Sequence, residues 1–148
     1  MTRPRATRKL VLVPWSGFSR ASASDYFEVF EHSERRVVLA QRTPGAPVGS
    51  EELRRIVWAL ESLLDPRTQS WGLIVDTRAA SGSTDPRFGR ELTEWSRRAT
   101  EHFARFAVLV RTNLGMIQAT RHHSHADNAL VTTDEAQALA WVVGSPTE

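Results

Sequence analysis

Apolar positions along the chain recur with two different periods, and the switches between them set out an order of elements. Leu73, Ile74 and Val75 form a continuous apolar run, as expected of a strand covered on both faces. Tyr26 to Glu31 and Arg36 to Gln41 read as two more strands, with His32-Ser33-Glu34-Arg35 as the connecting turn. After a Pro/Gly loop over 43–49, Ser50 is placed to cap a helix. Glu51 and Glu52 in its first turn suit the positive end of the helix dipole. Leu53, Ile56, Val57, Leu60, Leu63 and Leu64 share one face of that helix, and Asp65-Pro66 stops it. Asp85-Pro86 offers a cap and a first helical residue for a second helix, which runs to about Phe103 with Phe88, Leu92, Trp95, Ala99 and Phe103 at helical spacing. Phe106 to Arg111 is another strand, and Asn113 is placed to cap a short helix ending near His122. Ala129 to Thr132 is the last strand. Thr132-x-x-Glu135 forms a capping box for a closing helix with Ala136, Leu139, Ala140 and Val143 facing inward.

Strands separated by helices predict a parallel sheet with right-handed crossovers, and the opening hairpin adds an antiparallel edge. The expectation is one α/β domain over residues 25–144. It holds a mixed, mostly parallel five-stranded sheet and about four helices, flanked by a basic, flexible tail (1–24) and a short C-terminal tail (145–148). Within the first tail, Leu10 to Val13 is the one segment with the character of an additional strand.

The 148 residues suffice for one domain with a sizeable core, and 41% hydrophobic with 24% charged residues is a globular composition. The absence of cysteine excludes disulfides, thiolate catalysis and thiolate metal sites. No apolar run approaches the roughly 20 residues that cross a bilayer, and Pro14-Trp15 cuts Leu10–Val13 short of a signal-peptide core. A cytoplasmic protein is expected. The net charge of +2 is unevenly placed: Arg3, Arg5, Arg8, Lys9 and Arg20 precede the first acid, Asp25. That leaves 14 basic residues against 17 acidic in 25–148. A folded basic stripe for nucleic acid is therefore not expected, and the leader reads as a solvated tail.

The element order and three stretches resemble the STAS-like family, which includes anti-sigma factor antagonists and sulfate-transporter tails. The stretches are Leu73-Ile-Val-Asp-Thr-Arg-Ala-Ala with Asp85-Pro86, Ala107-Val-Leu-Val-Arg-Thr, and Val131-Thr-Thr-Asp-Glu-Ala-Gln-Ala-Leu-Ala-Trp141. The likeness covers about residues 26–143 and is to a loose branch. It implies a non-catalytic domain that binds a protein partner or a small anionic or lipid-like ligand, with no cofactor. In the antagonist branch a partner kinase phosphorylates a serine in an Asp-Ser-Ser-Gly-like turn. Here that turn reads Ala80-Ser81-Gly82-Ser83-Thr84-Asp85, so the strict motif is absent.

Candidate chemistry gathers where the central strands end, the usual ligand edge of an open α/β sheet. Asp76, Arg78, Ser81, Ser83, Phe88, Arg111 and Asn113 are the candidate contact residues. Ser83 is the preferred phosphate acceptor, since a helix start favours added negative charge. Arg42, Arg78 and Arg111 each follow a strand. They converge either as an anion site or as internal partners of Asp76 and Asp134. His122, His123 and His125 lack the geometry and further ligands of a zinc site, so no metal is expected. No Gly-x-Ser-x-Gly elbow occurs. Trp58, Trp95 and Trp141 fall on apolar helix faces and read as core. The alternative function is a small enzyme using Asp76 and Arg78 with a histidine for acid–base chemistry.

Overall fold

The computed structural model describes residues 15–44, 50–79, 86–123 and 126–144, apart from the side chains at 50, 86, 88, 114, 118, 122 and 123. The elements in order are β1 (Ser19–Ala23), β2 (Phe27–His32), β3 (Val37–Arg42), α1 (Ser50–Glu61), β4 (Gly72–Asp76), α2 (Pro86–His102), β5 (Arg105–Leu109), α3 (Asn113–His123), β6 (Ala129–Thr132) and α4 (Glu135–Val143). A short 3-10 turn, Pro66–Thr68, precedes β4, and Asp65 caps it by accepting from the Arg67 amide at 2.9 Å.

The strands form one sheet in sequence order. β1, β2 and β3 are antiparallel, and β3 to β6 are parallel. The sheet thus has six strands rather than the expected five. The additional one, β1, comes from residues 19–23 of the segment set apart as a tail. All five of its side chains are exposed, and Ser-Arg-Ala-Ser-Ala carries no apolar alternation to mark it as a strand. It is held by backbone pairing to β2, with a register shift between Arg20 and Ser22.

Successive side chains of β3, β4 and β5 enter two different cores, which is why these strands read as unbroken apolar runs. Val38, Ala40, Leu73, Val75, Phe106 and Val108 pack under Ile56 and Leu60 of α1 and Trp95 and Ala99 of α2. Met116 and Ala119 of α3 join the same side. Leu39, Ile74, Ala107 and Leu109 face the other way, against Ala138 and Val142 of α4 and the buried Trp15. The indole of Trp95 donates to the Leu60 carbonyl at 2.9 Å and meets Phe106 edge-on, tying α1, α2 and β5 together. Asn128 donates to the carbonyls of Thr100, Phe103 and Ala104, closing the C-terminal end of α2 where orphan acceptors collect.

Three helix expectations change. Trp58 is not core: it is 63% exposed, on the solvent side of α1. In α4 the fully inward residues are Ala138 and Val142, while Ala136 and Ala140 are exposed. The cap of α4 is Asp134, whose carboxylate accepts from the amides of Ala136 and Gln137, whereas Thr132 accepts from the Asp134 amide and bonds to Gln137. Gly72 is required by packing, because a Cβ there would lie 2.7 Å from the Val142 carbonyl oxygen of α4.

Candidate functional site

Parallel register brings the strand ends into a row. Gln41 of β3 pairs with Asp76 of β4, Asp76 with Leu109 of β5, and Leu109 with Thr132 of β6. Residues that follow these positions therefore emerge side by side along one rim.

Asp76 is buried at the centre of the row. Arg78 lies two residues beyond it and folds back, placing Nε 2.9 Å from Oδ1 and Nη2 2.9 Å from Oδ2 of Asp76. The Arg78 amide adds a third contact at 3.1 Å, and Gln41 Nε2 donates to Oδ2 at 3.1 Å. Both oxygens of the buried carboxylate are thus satisfied by a planar donor pair and a neighbouring strand, the arrangement that makes a charge tolerable away from water. Arg78 also pairs with Glu135 at the start of α4. Hydrogen bonding to Asp76, ahead of its attraction to both carboxylates, holds the Arg78 guanidinium well above the ordinary arginine range despite partial burial. Arg111 is exposed, and its Nη1 donates to the Arg78 carbonyl at 2.9 Å.

Two of the three strand-end arginines therefore meet. Arg42 does not join them. It is buried and turns to the hairpin edge, donating to the Thr43 carbonyl at 2.7 Å and lying over the rings of Tyr26 and Phe27. Burial lowers its pKa from the usual arginine value. The Asp–Arg pairing envisaged for this end is present at Asp76. At Asp134 it is not, because that carboxylate is used as a helix cap.

Asn113 opens α3 but does not cap it. Thr112 does, its Oγ1 accepting from the Gly115 amide at 3.0 Å, and Asn113 is exposed at the first helical position. Ser81 and Ser83 lie outside the described residues, as does the side chain of Phe88, whose backbone belongs to α2. Glu135 and Gln41 were missed as members of this rim. Glu135 had a weak signal, since the first turn of a helix after a strand end falls on the same edge as Asp76. Gln41 had none, because its role depends on the lateral register of β3 and β4.

No family model and no curated protein matches the chain. Among solved structures it is similar to the crystal structure of an uncharacterized protein of the DUF3478 family, with a SpoIIAA-like fold, from Shewanella loihica PV-4. The match has a TM-score of 0.50 and 15% identity over 84% of this chain and 91% of that one. The fold is SpoIIAA-like. That agrees, at the level of fold, with the STAS-like resemblance carried by the three sequence stretches. Among the described residues, no helix of this SpoIIAA-like domain is long and apolar enough to cross a membrane.

Proposed function

We propose that the protein is a non-catalytic binding module of regulatory type, which contacts a protein partner or a small anionic or lipid-like ligand at the C-terminal ends of its strands. The supporting observation is the state of the rim charges. Asp76 and Glu135 share the one Arg78 guanidinium, and Asp76 takes hydrogen bonds on both oxygens. A carboxylate so committed is a poor general base, which must be able to take up a proton from a substrate. The two described histidine side chains sit at the opposite end of the sheet. His32 closes the β2–β3 turn, accepting from the Arg35 amide, and His102 bonds to Thr68. The enzyme alternative therefore lacks its histidine among the described residues.

In this reading the ion-paired cluster is a scaffold, and the exposed Arg111 and Asn113 beside it, with Phe88 and the turn holding Ser81 and Ser83, are the contact surface. Phosphorylation of Ser83 would switch that surface by adding about −1.5 to −2 charges to the stretch of chain that joins β4 to α2. The test is recovery of a partner from the native cell extract by wild-type protein, Arg111→Glu and Ser83→Asp, with Arg35→Glu at the opposite end as control. Loss in the first two variants, retention in the control and equal melting of all four support the reading. Equal recovery by all four, or turnover of a substrate abolished by Asp76→Asn, would overturn it.

A further inference from the structure

We propose that the guanidinium of Arg42 forms a small-oxyanion site, which takes one carboxylate or phosphate group on its Nε–Nη2 edge. The site lies at the C-terminal end of β3, on the hairpin side of the sheet. It is separate from the Arg111 surface and does not rest on the reading of that surface.

The first observation is a charge without a counter-charge. Arg42 is only 8% exposed, yet its hydrogen-bond partners are all neutral: the Thr43 carbonyl at 2.7 Å, the Thr43 hydroxyl at 3.3 Å and the Tyr26 carbonyl at 3.5 Å. No carboxylate among the described residues pairs with it. The stretch that follows, 45–49, reads Gly-Ala-Pro-Val-Gly and contains no acid. Arg78, with a side chain 31% exposed, has two carboxylates, whereas the more deeply buried Arg42 has none. A buried charge is costly until it is paired. Burial is the largest influence on the Arg42 pKa and lowers it, with Tyr26 acting against it.

The second observation is a free edge. Arginine carries five N–H donors in a planar fork, and all three hydrogen bonds of Arg42 leave from Nη1. Nε and Nη2, the pair whose parallel N–H bonds grip two oxygens of a carboxylate or phosphate at once, donate to nothing among the described residues. Neither is sealed from water, because the buried side-chain atoms without a partner are Trp15 Nε1 and Gln41 Oε1.

The fork is also held in place before any ligand arrives. Its Cζ lies 5.5 Å from the centre of the Tyr26 ring and 5.9 Å from that of Phe27. Thr43, which holds Nη1, is itself fixed: its hydroxyl donates to the Asp25 carbonyl at 2.7 Å and its amide to the Tyr26 carbonyl at 2.9 Å. A preorganised donor pair loses little freedom on binding. Closing the hairpin end uses Nη1 alone, so the charge and the second edge are left for an anion. So small an exposed edge suits one oxyanion group of a small molecule rather than an extended polyanion.

NMR titration of the full chain tests this. Acetate and inorganic phosphate are added separately at constant ionic strength, with chloride as control, while the Arg42 Nε–H resonance is followed. A saturable shift at tens of millimolar or below is expected with acetate, phosphate or both, and none with chloride; the responding anion names the ligand class. Arg42→Lys keeps the charge but has no planar edge, so affinity read from the Tyr26 amide should fall at least tenfold. Arg111→Glu should bind as wild type does. If the lysine variant does not fold, the wild-type Nε–H titration decides alone, since that resonance reports contact at the proposed edge. Absence of a saturable shift with both anions overturns the proposal. So does binding that survives Arg42→Lys undiminished, or binding lost in Arg111→Glu, which would place the anion at the rim.

Discussion

Removing the Arg78 side chain isolates the energetic role of the rim cluster. In Arg78→Ala, Asp76 keeps the Gln41 and residue-78 amide hydrogen bonds but loses both guanidinium contacts, while its side chain is only 7% exposed. Breaking a buried ion pair by deleting one member costs about 3–5 kcal/mol. Arg78 is itself 31% exposed, so water reaches the vacated space, and two hydrogen bonds persist. We therefore expect about 2 kcal/mol, toward the low end of what an uncompensated carboxylate costs. For a chain of this length each kcal/mol corresponds to about 2–4 °C, so Tm should fall by roughly 4–8 °C. Glu135→Ala removes a partner from a pair in which both side chains are 31% exposed, and should cost only about 0.5 kcal/mol. Asp76→Asn combined with Arg78→Ala should be less destabilised than the sum of the single changes, by about 1–2 kcal/mol, because no unpaired charge remains buried. Thermal and urea unfolding of the four variants supply all these quantities. An Arg78→Ala protein melting within a degree of wild type, or strict additivity in the double variant, would refute the reasoning. Asp76 is buried within its own hydrogen-bond network, so substitutions there are expected to destabilise the fold.

The raised Arg78 pKa fixes the sign of the pH dependence: a base whose folded value lies above its unfolded one keeps its stabilisation at every pH below the unfolded value. The Tm difference between wild type and Arg78→Ala should thus stay constant from about pH 7 to 10, as differential scanning calorimetry across that range will check. Gly72→Ala pushes a methyl into the Val142 carbonyl and should destabilise by about 1–3 kcal/mol, read from urea midpoints, with α4 amides showing the largest exchange increase. Trp58→Ser should shift stability by no more than about 0.5 kcal/mol, whereas Trp95→Ala should cost about 3–5 kcal/mol or prevent folding.

Local sequence determined the elements that carry a strong period or a strong stop. The apolar runs of β3, β4 and β5 are legible because each must bury both faces, and α2 begins at Pro86, where proline has no amide to lose. The location of the rim was legible for the same reason: parallel strands end together. Three outcomes belonged to the tertiary structure alone. β1 has no apolar pattern, and its existence depends on the backbone of β2 offering a partner. Trp58 and Ala136 carry the right spacing for burial, but which stripe of a helix turns inward is set by how α1 and α4 sit on the sheet. The three arginines looked equivalent, each at or just beyond the end of a strand. Arg78 reaches Asp76 locally, two residues back, and Arg42 its neighbour Thr43, but the tertiary arrangement sent Arg78 to Glu135, Arg111 to the Arg78 carbonyl, and Arg42 to Tyr26. Which charges meet across a sheet is a matter of strand alignment, which the spacing of residues along one strand does not contain.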